Sequence, residues 1–347
     1  MKSGKSAACV AIAFAFAATL APPEPPALAT PASPPGAPAA AAKKKAKKHP
    51  PKHARHRTVA KKPPPPPPPP LDGTSYDYGY DGRADGHRER AWFGRVFVHR
   101  KAAEATGRSL PVLVFLHGNN GEGIKYRWMG GGSEGDLRRI VSELMESGAV
   151  PPMLVAAPSS INPDTMTNAI LSWPAFDLDM FLDRTEERLG QAAVIDRGRV
   201  IVAAHSGAGC NIRGGLNAAL HAKGTPVLAG FSIDTCMLMD LAKDLAHVRP
   251  TTHVVVSWQS ISWPEREFGG FSSVFLHEVK KAPPPEGVLR ELDYQQPTVP
   301  MPHDAMVSLT LKKWLPRLLG PGVAPPPPPP PPDPTPTATA APDGGSY

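Results

Sequence analysis

An α/β fold is predicted, with a mostly parallel central sheet and helices on both faces. Three observations predict it. Continuous runs of β-branched, aromatic and other apolar residues, such as Pro111-Val-Leu-Val-Phe-Leu116 and Val200-Ile-Val-Ala-Ala204, read as strands buried on both faces. Segments of helical spacing lie between them, as parallel crossovers require. One apolar run ends abruptly in Ala204-His205-Ser206-Gly207-Ala208, a strand breaking sharply into a helix with a serine at the apex.

The elements follow in order. Arg95 to His99 alternates polar and apolar, as a partly exposed strand would. Pro111 to Leu116 is a buried strand. Asp136 to Glu146 carries Leu137, Ile140, Val141 and Leu144 at helical spacing and stops at Gly148. Met153 to Ala157 is the next buried strand. Phe176 to Leu189 is a helix turning Phe176, Met180, Phe181 and Leu189 inward. Val200 to Ala204 leads to Ser206, and a helix is expected from there to about His221. Strands over 226–233, 252–258 and 288–294 alternate with helices over 238–245, 274–280 and 305–319.

The flanks differ in composition. The chain has 347 residues and 46 prolines, clustered at its ends. Lys2 and Lys5, an apolar run from Ala7 to Leu20, and Ala27-Leu28-Ala29 form a secretory signal pattern over 1–29, with an uncleaved anchor as the alternative. Residues 30–70 are rich in Pro, Ala and Lys and end in eight prolines. Such a segment has little to bury and is expected to be a disordered linker, as is the tail 321–347. The folded domain is thus 71–320, which is large enough for a substantial core. The net charge is +7, but residues 1–70 alone carry twelve Lys/Arg and one acid, a net +11. The remainder is therefore −4. An exported protein is expected: periplasmic, envelope-associated or secreted. Its basic linker could rest on an anionic envelope polymer or a membrane surface, or simply stay soluble. No nucleic-acid partner is expected.

Three features fall where predicted strands end. His117-Gly118-Asn119-Asn120-Gly121 follows one buried strand, Ser206 follows another, and His303 in Pro302-His303-Asp304 precedes the last helix. Their order and local patterns resemble the α/β-hydrolase superfamily over most of 91–320. The usual Gly-x-Ser-x-Gly has alanine at both outer positions here, Ala204 and Ala208, which is still sterically small. The resemblance implies a catalytic triad in the order serine, acid, histidine. Chemistry asks for the same groups. A serine hydroxyl needs a base to take its proton, and histidine is that base at neutral pH. A buried carboxylate fixes its tautomer. Backbone N–H groups must meet the oxyanion, and Gly207 and Asn119 are the candidates.

The expected roles are Ser206 as nucleophile, His303 as base and Asp234 as acid. Asp234 ends the strand after the serine strand, whereas the family more often places its acid one strand later. Glu265 and Glu267 are therefore rivals, and a helix cap is the structural alternative for Asp234. Asp304 reads as the cap of the final helix. Cys210 lies one turn past Ser206, and Cys236 lies two residues past Asp234. If their strands are neighbours, a disulfide would pin the acid loop to the serine turn; otherwise they are two buried thiols.

The expected function is an exported serine hydrolase cleaving a small or polymeric ester, less readily an amide. The alternative is a catalytically inactive binding protein of the same fold, tethered to the envelope. Trp173, Phe176, Trp258 and Trp263 either line a cleft or pack. Lone histidines (His99, His221, His253, His277) read as structural or surface groups. No cofactor is expected, and no metal-ligand spacing stands out. Gly130-Gly-Gly132 lacks a following Lys-Ser/Thr, so it is not a phosphate loop and reads as a mobile loop near the site. Gly207-Ala-Gly209 with Asp234 mimics a dinucleotide fingerprint, but it follows an internal strand and holds a serine at its apex.

Overall fold

A computed structural model describes residues 69–81, 91–105, 107–120, 124, 126–129, 135–160, 173, 176–262 and 268–322. The expected signal segment, nearly all of the linker and the tail, and Gly130–Gly132, Trp263, Glu265 and Glu267 lie outside them.

Eight strands form one sheet: β1 (Gly73–Asp81), β2 (Ala91–His99), β3 (Ser109–Leu116), β4 (Leu154–Ser160), β5 (Val194–His205), β6 (Val227–Ile233), β7 (His253–Trp258) and β8 (Arg290–Tyr294). Their order in space is β1-β2-β4-β3-β5-β6-β7-β8. β1–β2 and β2–β4 pair antiparallel, and every other pair is parallel. The chain thus crosses outward from β3 to β4 and returns on the far side of β3 to β5. That reversal opens a crevice beyond the carboxyl ends of β3 and β5, where open α/β sheets place their chemistry.

Among the described residues seven α-helices flank the sheet: α1 (Arg100–Glu104), α2 (Leu137–Glu146), α3 (Leu178–Leu189), α4 (Gly215–Leu220), α5 (Met239–Ala246), α6 (Phe268–Lys281) and α7 (Pro302–Leu319). The central strands divide their side chains between two cores. Val112, Val114, Leu116, Val200, Val202 and Ala204 face the core shared with α3 to α6. Leu113, Phe115, Ile201 and Ala203 face the core shared with α2 and α7. Each fully buried Val, Leu, Ile or Phe contributes about 1.5–3 kcal/mol, so alternation along β3 and β5 holds both helical layers.

Several expectations are corrected. β1, with Tyr76, Tyr78 and Tyr80 at period two, was not anticipated from the sequence. It explains why the expected partly exposed strand Arg95–His99 is buried from Val96 to His99 and keeps only Arg95 partly exposed: β2 lies inside the sheet between β1 and β4. The helix after Ser206 is interrupted. A single 3-10 turn (Ser206–Gly209) gives way to 210–214 before α4 begins, since Gly214-Gly215 propagates a helix poorly. α6 is longer than expected. The N-cap of α7 is Met301, so Asp304 sits inside the first turn rather than capping it, where its charge still suits the helix dipole.

The two ends of the described domain meet α2. Pro69 to Asp72 line a groove with Arg139, Ser142, Glu143 and Glu146, and Gly322 N–H donates to Gly148 O at 2.9 Å, just past α2.

Candidate active site

The parallel register delivers the candidate residues side by side. His205 pairs with Ile233, Ile233 with Ser257 and Ser257 with Asp293. The residues that leave these strands are Ser206, Asp234 and, two beyond Ser257, Gln259. α7 then brings His303 back over the same edge.

Ser206 is half-buried, with φ of 55°. A non-glycine residue in the left-handed region is strained, and this is the conformation that turns a strand sharply into a helix with its side chain at the apex. The strain is held from two sides. A side chain at Gly118 would put its Cβ 2.5 Å from Ser206 Cβ and 2.9 Å from His205 O, so only glycine lets the loop after β3 pass this close. A Cβ at Gly209 would lie 2.4 Å from Thr235 Cγ2, so the serine turn packs directly against the acid loop. A Cys210–Cys236 disulfide, with Cα atoms 4.9 Å apart, joins the same two segments. The alternative of two free buried thiols is thereby set aside.

Asp234 is fully buried. Its φ of 46° bends the chain out of the sheet, and its N–H donates to Ser257 O at 2.7 Å. Its carboxylate does not cap α5, whose N-cap is Leu238 with no side-chain bond. Instead Oδ2 meets His303 Nδ1 and accepts from Gln259 Nε2 at 2.7 Å. An anion at Nδ1 keeps the proton there and leaves Nε2 as the basic nitrogen. Among the described residues no hydrogen bond joins Ser206 Oγ to the His303 ring. Such contacts are commonly long without substrate.

Two further histidines are buried as neutral rings. His205 Nε2 lies 3.1 Å from His303 O and must donate, because a carbonyl only accepts. Its ring packs 4.3 Å from the His303 ring and edge-on to Trp128. Burial, reinforced by the electrostatic influence of the neighbouring His303, pushes its pKa down to about 3. His117 Nδ1 donates to Gly118 O at 2.8 Å, and burial pushes its pKa down to about 4. His205, His303 and Asp304 could together present ligand atoms within 4.8 Å of one another. In this structure His205 Nε2 is given to the His303 carbonyl and His303 Nδ1 to the Asp234 carboxylate, which leaves one ring nitrogen on each.

Trp173 is 2 % exposed and packs rather than lines a cleft. Its Nε1 donates to His117 O at 2.7 Å, and its own carbonyl accepts from Gly215 N–H at 2.8 Å. It thereby ties the loop after β3 to the segment after the serine turn. That loop is closed on itself by Asn120, whose side chain bonds both the N–H and the C=O of Ile124. Asn119 follows Gly118 and is exposed, while Gly207 is buried in the serine turn. Of the lone histidines, His99 is fully buried and caps α1, His221 reaches Asp244, and His253 accepts from Leu289 N–H. All three are structural. Two residues of the site, Gln259 and Trp173 as a tie, were not anticipated. The signal for Gln259 was a polar residue ending an apolar strand, beside the strand that delivers Asp234.

No family model matches the sequence, and no curated protein does. Solved structures do. A ferulic acid esterase is 15% identical, with a TM-score of 0.52, over 72% of this chain and 99% of that one. A protein designated FAE is 11% identical, with a TM-score of 0.51, over 73% of this chain and 90% of that one. At these identities the likeness speaks for architecture alone. It agrees with the mostly parallel eight-stranded sheet flanked by helices, and the polypeptide has the α/β-hydrolase fold.

Proposed function

We propose that the protein is a serine hydrolase of carboxylic esters, with Ser206, His303 and Asp234 as its catalytic triad. The observation that carries this reading is the buried Asp234 carboxylate on His303 Nδ1, beside a serine held at φ 55°. The likeness to a ferulic acid esterase supports an ester over an amide. His303 Nε2 takes the Ser206 proton as Oγ attacks the ester carbonyl carbon. The carbonyl oxygen becomes an oxyanion facing the N–H groups of Gly207 and Asn119. The C–O bond to the alcohol breaks, and the alcohol leaves with the proton from His303. Water then repeats the sequence on the acyl-serine and releases the acid.

The surroundings favour an apolar acyl or aryl group. Ile212, Leu238, Met239, Ile261 and Met301 are all exposed large apolar residues. They lie on the segments that carry or follow Ser206, Asp234, Gln259 and His303, all at the carboxyl edge of the sheet. The signal pattern of residues 1–29 supports export, with the basic linker against an anionic envelope surface.

A fluorophosphonate probe on the purified protein, with mass mapping of the adduct, tests the reading. Labelling of Ser206 is expected, abolished by Ser206→Ala and strongly slowed by His303→Ala. A folded protein that takes no label would instead be a binding protein on a hydrolase scaffold.

A further inference from the structure

We infer that Gln259 is a positioning residue for the acid: its amide holds the Asp234 oxygen that His303 contacts and suspends the loop after β7 from the same side chain. The inference rests on the reading of Ser206, Asp234 and His303 as a triad.

Gln259 is fully buried, one residue beyond β7. Its Nε2 donates to Asp234 Oδ2 at 2.7 Å. Its Oε1 accepts from Ile261 N–H at 2.7 Å and from Ser262 N–H at 2.9 Å. The assignment of oxygen and nitrogen is fixed by chemistry, because two backbone donors require the carbonyl on one side and a carboxylate requires the NH2 on the other. Oδ2 therefore receives two donors. The imidazole belongs to a helix, α7, and the amide to the end of a strand, β7, so the two donors hold Oδ2 from different elements. The second donor sets its plane against the rigid edge of the sheet.

The same amide reaches the substrate side. Ile261 is 52 % exposed, and its backbone hangs from Gln259 Oε1. Gln259 thus connects a surface loop to the group that orients the base. Burial alone would be satisfied by any side chain of this volume, whereas three directional bonds are not.

Turnover of p-nitrophenyl acetate by the full chain is the test, run as kcat and KM against pH for wild type, Gln259→Met and Gln259→Glu, with Ser206→Ala as control. Methionine keeps length and volume but donates nothing. It is expected to lower kcat about tenfold or more with little change in KM. It should also move the acid limb of kcat/KM to higher pH, because an imidazole facing a carboxylate with one fewer donor holds its proton more tightly. Gln259→Glu is nearly isosteric and keeps the acceptor. While protonated, the new acid can still donate to Asp234; once ionised, it faces a second carboxylate. Its profile should gain an ionisation that wild type lacks. Profiles of either folded variant that superimpose on wild type would overturn the inference. So would collapse of the fold in both, which would make Gln259 a purely structural residue. If Ser206→Ala keeps its turnover, the triad reading itself fails, an outcome distinct from any result at position 259.

Discussion

Cys210 is covalently joined to Cys236, so the turn that presents Ser206 and the loop that presents Asp234 cannot separate while the bond is intact. The two cysteines are 26 positions apart in sequence, and closing a loop of that size stabilises a domain by about 3.5 kcal/mol in the chain-entropy account. Replacing both cysteines by alanine should lower the thermal midpoint by several degrees. It should also lower kcat more than it raises KM. Dithiothreitol on wild type should reproduce both effects and leave the double variant unchanged. A double variant with full kcat and an unshifted midpoint would remove the bridge from any role.

The choice of acid can be separated from its rivals. Asp234→Asn keeps shape but removes the anion from His303 Nδ1, and a loss of roughly four orders of magnitude in kcat is expected. Glu265→Gln and Glu267→Gln should each stay within about threefold of wild type. Steady-state kinetics on an activated ester decides. A larger loss at Glu265 or Glu267 than at Asp234 would transfer the role.

Asp293 should prove to be the anchor of the histidine helix. Its buried carboxylate accepts from Trp314 Nε1 and Lys313 Nζ on α7, both at 2.6 Å, and from Gln295 Nε2 at 2.8 Å. Despite the opposing effect of burial, these donors hold its pKa below the usual carboxylate value. Asp293→Ala leaves a buried indole N–H without an acceptor and removes the partner of Lys313, so a loss of about 3 kcal/mol is expected. Asp293→Asn should lose less. Urea unfolding of the two variants checks the order.

Stability should fall on mild acidification before most carboxylates titrate. His117 and His205 have folded pKa values of about 4 and about 3 against 6.5 for an ordinary histidine. Below pH 6.5 the unfolded chain binds protons that the folded chain refuses. Stability is therefore full above that value and is lost progressively from about pH 6.5 down towards pH 4 and 3. Each ring contributes on the order of 3 kcal/mol at the acid end of its window. Asp293, with its lowered pKa, adds its loss only below about pH 4. Urea midpoints from pH 7.5 to 4.5 should decline in wild type and decline less in His117→Gln. Parallel slopes would show that His117 charges as easily folded as unfolded.

The architecture was readable because its signals are local. The apolar runs ending at Leu116, Ala157 and Ala204 each announce a strand buried on both sides, and the helical spacing of Leu137, Ile140, Val141 and Leu144 places α2 without help from tertiary structure. Ser206, Asp234 and His303 were nameable because each stands where an apolar run stops or a helix starts. What escaped depends on distant partners. β1 is rich in tyrosine, glycine and aspartate and becomes a strand through its pairing with β2. The break after Ser206 reflects the Gly214-Gly215 pair and a turn held by a distant cysteine. Gln259 acquires a role only because the sheet sets β7 beside β6, a neighbour relation that no spacing within one segment reveals.

Both ends of the folded region run along α2, and the last turn of that helix lies on the opposite rim of the sheet from Ser206. Gly73 pairs with His99, and His99 reaches Glu146, at the rim where the parallel strands begin. Gly322 bonds to Gly148 nearby. A leash attached at either end therefore pulls from behind. Fixed to a solid support at Pro69, at Gly322, or at both, the folded region would keep its serine face turned outward and open.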